Sequence, residues 1–170
     1  VALAIFAQHL DASGAPLWGA NGRAVRSAPG SRFPLSIASD GAGGTVVAWL
    51  EFAPSDPLPS SVWAQALNPD GSPAWAPGGV RLGIPSAFPN TGVLALVGGG
   101  AIFTWTESRE GSAELDVDQG LYAQRLDGAG TPKWGTDGIT LEAPAVGQRE
   151  PSMSPDGAGG AIITWKDCRN

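Results

Sequence analysis

The side chains able to do chemistry are few and scattered. His9 is the single histidine and Cys168 the single cysteine among 170 residues. An intrachain disulfide is therefore impossible, and a His/Cys zinc cluster has no ligands to draw on. Cys168 reads as a buried thiol or as one that pairs outside the chain. No Gly-x-Ser-x-Gly turn presents a serine nucleophile. Glu51, Glu107 and Asp167 each stand two residues after a tryptophan. Converging, they would form an acidic ring and could supply the two carboxylates of glycoside hydrolysis. The competing reading is local ion pairing, Glu107 with Arg109 and Asp167 with Arg169. Asp116-Val-Asp118-Gln-Gly120 alternates acids as a calcium loop does, but lacks the remaining ligand spacing. Gln8, Gln65 and Gln124 recur inside one strand pattern. A buried amide must be hydrogen-bonded, so they read as ties between strand and loop, with a ligand-facing role as the alternative. Trp18, Trp75 and Trp134 would stack on sugars if displayed to solvent. No catalytic, cofactor or metal residue is expected.

These residues recur because the chain repeats. Phe6-Ala-Gln-His-Leu-Asp11, Trp63-Ala-Gln-Ala-Leu-Asn68 and Tyr122-Ala-Gln-Arg-Leu-Asp127 align. Each is followed by a Gly-x-Pro-x-Trp run ending at Trp18, Trp75 or Trp134, and then by Gly22, Gly79 or Gly138. A second block runs from Pro34, Pro89 or Pro151 through a glycine-rich turn to Trp49, Trp105 or Trp165. Six of the seven tryptophans thus hold equivalent places. His9 shares its place with Ala66 and Arg125 and reads as a surface histidine.

Each unit reads as four short strands. The first follows the proline. Asp40-Gly-Ala-Gly-Gly44 and its copy at Asp156 supply the positive φ of a hairpin turn. The second strand, such as Ala161–Trp165, is apolar and β-branched, as befits burial on both faces. The third alternates, as a strand with one buried face does. The fourth is expected to carry Pro-x-Trp, with the next glycine marking a bend. One such sheet cannot bury both its faces, so the units must stack, with the tryptophans as wedges.

Composition agrees. Gly and Pro number 25 and 15 residues, which excludes long helices, while 42% hydrophobic residues and 7 Trp allow a packed core. The net charge of −6, with no basic run, argues against nucleic acid and anionic membranes. No apolar stretch is long enough for a membrane-spanning helix. Val1 in place of Met, without a leader, points to a processed chain or a segment of a longer polypeptide.

The pattern Asp-Gly-x-Gly-Gly-x-Ile-Ile-x-Trp-x-Asp-x-Arg followed by Tyr-Ala-Gln-Arg-Leu-Asp-x-x-Gly-x-x-x-Trp resembles the repeat of bacterial secreted β-propeller proteins. In strand order it is distantly similar to BNR/sialidase propellers. Leu50-Glu51-Phe52-Ala53 lacks the Arg of this pattern and Gly98–Gly100 lacks its Asp. The resemblance implies an all-β propeller of three tandem four-stranded blades. Residues 1–32 would carry the third and fourth strands of a split blade, 33–87 and 88–149 a blade each, and 150–170 the first and second strands of a split blade. Such a chain is expected to be completed by a second copy, by other chains or by further blades. The function implied is a non-catalytic extracytoplasmic scaffold or binding module. The alternatives are a carbohydrate-binding propeller, using the three tryptophans and three glutamines above, and a sialidase-like hydrolase. The last would need a tyrosine nucleophile. Tyr122, the sole tyrosine, fills the slot of Phe6 and Trp63 and reads as structural.

Overall fold

The computed structural model describes residues 3–52, 60–82, 91–95, 100–107, 119–145 and 149–167. Asp116 and Asp118, Cys168, Arg109 and Arg169 lie outside the described residues. The chain is all-β, with twelve strands and no helix among the described residues.

The strands group into antiparallel sheets. β1 (Ile5–Ala7) and β2 (Arg23–Arg26) pair as a two-stranded sheet. β3 (Ser31–Ser39), β4 (Thr45–Phe52), β5 (Ser60–Leu67) and β6 (Val80–Arg81) form a four-stranded meander. β7 (Thr91–Ala95), β8 (Ala101–Glu107), β9 (Gln119–Leu126) and β10 (Ile139–Ala145) form a second meander. β11 (Arg149–Pro155) and β12 (Ala161–Lys166) pair as another two-stranded sheet. The two meanders share one register. Trp49 faces Trp63 as Trp105 faces Tyr122, and Val47 faces Gln65 as Phe103 faces Gln124.

Turn chemistry explains the hairpins. Asp40 Oδ1 accepts the N–H groups of Ala42 and Gly44, while Gly41 and Gly43 take φ of 74° and 92°. Asp156 repeats this with Ala158 and Gly160. An aspartate that caps its own turn, followed by glycines free to adopt left-handed backbone, fixes a tight connection.

Three expectations need correction. The Pro-x-Trp runs are not the fourth strand. Pro16, Pro73 and Pro132 make only isolated bridges to Leu10, Leu67 and Leu126, and the fourth strand begins after Gly22, Gly79 and Gly138. Proline has no N–H to donate to a ladder, so the pairing cannot extend there. Pro34 and Pro151 lie inside β3 and β11 instead of before them. Each falls at or beside a break in register, where a missing donor does least harm. The third correction is β12. Its counterparts β4 and β8 are buried on both faces, but Ile162 and Trp165 of β12 are exposed.

The sheets pack face to face. Val46, Ala48 and Leu50 of β4 and Trp75 meet Phe103 and Trp105 of β8 and Tyr122 of β9. On the opposite face of the same meander, Val47 and Trp49 meet Ile5, Trp18 and Val25. The period-2 alternation of a strand divides the apolar run between two neighbours. Burying one such large aromatic contributes about 2–3 kcal/mol.

Candidate functional site

The recurring polar residues converge inside the sheets. Gln8 Nε2 donates to the Gly19 carbonyl, and its Oε1 accepts from the N–H groups of His9 and Trp18. Gln65 does the same with Ala76, Ala66 and Trp75, and Gln124 with Gly135, Arg125 and Trp134. In each case one amide closes the loop that carries the tryptophan back onto its strand. Gln65 and Gln124 are buried and Gln8 is exposed. All three amides are engaged in the tie that the sequence suggested.

Two of the tryptophans held by these loops, Trp18 and Trp75, reach into the next sheet. Trp18 Nε1 donates to the Pro69 carbonyl at 2.8 Å. A methyl group on Gly71 would come within 2.9 Å of the Trp18 ring, and one on Gly130 within 2.8 Å of the Trp75 ring. Each indole therefore lies beneath the turn of the following repeat. Trp18 and Trp75 are buried there, so they are not displayed for stacking on a sugar. Trp134 is half-buried.

The acidic positions form clamps. Residues i and i+2 of a strand share a face, which sets each carboxylate beside the indole preceding it. Trp49 Nε1 donates to Glu51 at 3.1 Å and Trp105 Nε1 to Glu107 at 2.7 Å. Glu51 also receives both Arg26 and Arg32, each through two N–H groups at 2.9–3.0 Å. Burial pushes the Glu51 carboxyl up, but the hydrogen bonds from Arg26, Arg32 and Trp49 overcome this and hold it at about 2. Bonding to Glu51 raises Arg26 in turn. The Arg32 side chain is fully buried, and its remaining donors reach the carbonyls of Leu3, Ala28, Pro29 and Gly30. Arg26 also lies 5.6 Å over the Trp63 ring.

A carboxylate held ionised by two guanidinium groups is a poor general acid, which must carry a proton near neutral pH. Glu107 is 1% exposed and cannot face an open ring. Arg26 escaped notice because it does not recur in the other repeats, and Arg32 because it recurs only as Arg149, the middle repeat having Ala87 there.

His9 is half-buried instead of lying on the open surface. It meets Trp18 edge-on at 5.6 Å, and its buried Nδ1 has no hydrogen-bond partner. It lines a shallow depression of about 190 Å³ with Trp18, Ile37 and Thr45. Among the described residues no group of three His, Cys, Asp or Glu side chains could hold a metal ion. Among the described residues there is no helix long and apolar enough to cross a membrane. Tyr122 is buried and stacks on Trp105 at 6.3 Å. Comparison with protein-family models, with curated proteins and with solved structures gave no match.

Proposed function

We propose that the chain is a non-catalytic scaffold of propeller type, whose sheets are blades set around a common centre and whose task is to hold other protein chains outside the cytoplasm. One observation carries the reading. The residues that recur in every repeat are engaged in joining strand to loop and sheet to sheet. The glutamines close loops, Trp18 and Trp75 lie under the next turn, and Trp49 and Trp105 bond their own carboxylates. A site repeated for a ligand would instead leave polar groups turned toward solvent.

The layout of the sheets supports a common centre. β7 lies beside both β3 and β11, so the first strands of successive sheets run next to one another. The resemblance of the repeat to secreted propellers supports the extracytoplasmic setting. The sugar-binding alternative has less support, since two of its three indoles are covered. The hydrolase alternative has less support, since Glu51 is held ionised and Glu107 is buried.

The test is a fluorogenic glycoside panel and a glycan array, paired with electron microscopy of the protein. Silence on both panels and sheets radiating from one centre are expected. Turnover that disappears in Glu51→Gln, sugar binding that disappears in Trp134→Ala, or sheets piled in a straight stack would overturn the proposal.

A further inference from the structure

Building on the propeller reading, we propose that the partner is a second copy of this chain. The free edge of β12 in one copy pairs with the free edge of β1 in the other, twice, closing a ring of two copies. Among the described residues β1 pairs only with β2 and β12 only with β11, so both edges are open.

The register follows from the chain's own repeats. β12 is the counterpart of β4 and β8, and β1 is the counterpart of β5 and β9. Thr45 faces Leu67 and Ala101 faces Leu126, so Ala161 faces Leu10 of the second copy. Trp49 faces Trp63 and Trp105 faces Tyr122, so Trp165 faces the second copy's Phe6. Three of the four residues in these pairs stand uncovered: Phe6 is 59% exposed, Leu10 57% and Trp165 37%.

Separate features make the same match. Methyl groups on Gly79 and Gly138 would run into Trp49 and Trp105 below them, whereas one on Gly22 would meet only Ala7 and Gln8. Gly22 thus lacks the indole that Trp165 would bring. Gly71 and Gly130 sit on Trp18 and Trp75, whereas a methyl on Gly14 would touch nothing within 4 Å. Among the described residues no turn glycine lies on Trp134, which is the indole that Gly14 of the second copy would cover. Beside the free edge of β1 lies a groove of about 380 Å³ lined by Ile5, Ala7, Ile37 and Val47. Ile37 is 65% exposed, and Ile162 of the incoming β12, 60% exposed, points to the face that meets it.

The number of copies follows from geometry. Rings of four-stranded blades typically hold four to eight members. The described sheets amount to three such blades, and two copies of them bring the total into that range. A head-to-tail contact that closes leaves no edge for further growth.

The test uses the full chain. Light scattering behind size exclusion should give twice the 17.2 kDa of one chain. Ile162→Asp and Phe6→Asp alter side chains already exposed in the single chain, so each should stay folded. Each removes an apolar side chain from both contacts of the ring and should weaken dimerisation by about 1000-fold. In a Cys168→Ala background, Ala161→Cys chains mixed with Leu10→Cys chains should form disulfide-linked pairs. Ile162→Cys, one residue out of register and on the other face, should not link to Leu10→Cys. A monomer at high micromolar concentration, a larger assembly, a dimer indifferent to Ile162→Asp, or linkage through Ile162→Cys would overturn the inference. A monomer whose sheets still radiate from one centre would overturn only this pairing, whereas a straight stack would overturn the propeller reading with it.

Discussion

The middle of the molecule and its two ends are built from the same residues in different circumstances. In the meanders, Trp49 and Trp105 are wholly covered by neighbouring strands and by the turns at Gly79 and Gly138. Their counterpart Trp165 stands exposed on β12. Trp63 and Tyr122 are sheltered in the cores, while their counterpart Phe6 faces solvent. Burial here is thus a property of the neighbour and not of the residue. A repeat supplies half of each contact, and the adjacent repeat supplies the other half.

The comparison can be broken most severely at Glu51. Glu51→Ala strands the buried Arg32 without its carboxylate and should cost about 3–5 kcal/mol in urea unfolding. The matched Asp167→Ala at the exposed end, where water screens the carboxylate's contact, should cost about 1 kcal/mol or less. Equal losses would deny the difference between middle and end. Trp75→Ala should likewise cost about 3–5 kcal/mol, because the indole fills the space between the meanders. Trp134→Ala, measured on dissociated chains, should cost about 1 kcal/mol or less.

Acid supplies a third test. The folded Glu51 carboxyl titrates at about 2 against an ordinary 4.5, so the unfolded chain binds its proton first. Its contribution is complete above pH 4.5 and is lost as pH falls toward 2. The loss should be on the order of 2 kcal/mol, and Glu51→Gln should remove that part of the slope. Asp127, bonded to Lys133 and to turn N–H groups and also held at about 2, adds to the same slope from a half-buried site. The smallest effect concerns the loop ties. Gln65→Leu leaves the Ala76 carbonyl and the Trp75 N–H without their bonds and should cost about 1–3 kcal/mol. Gln8→Leu, where water can replace the amide, should cost less than half as much.

The strands were legible where alternation or β-branching was strong. Ala-Gln-x-Leu falls on β5 and β9, and the runs before Trp49 and Trp105 fall on β4 and β8. The error over Pro-x-Trp had a definite cause. An apolar residue beside a proline suits either an edge strand or a loop, and the choice depends on Gln65 capturing the loop from inside the sheet. Bonds from Trp49 and Trp105 to the acids two residues on follow from strand geometry once the Trp-x-Glu spacing is seen. Arg32 was not legible, since its five partners come together only through Leu3, the path of residues 28–30 and the neighbouring β4. The exposure of β12 was equally hidden, because its sequence matches strands that are buried.

Hydrogen–deuterium exchange, followed strand by strand from dilute to concentrated protein, bears most directly on the claim that the ends are unfinished versions of the middle. In dilute solution β4 and β8 should exchange slowly and β1 and β12 quickly. On concentration, β1 and β12 should slow toward the rates of β4 and β8. Exchange in β1 and β12 that stays fast at every concentration, or exchange in β4 and β8 as fast as theirs, would contradict it.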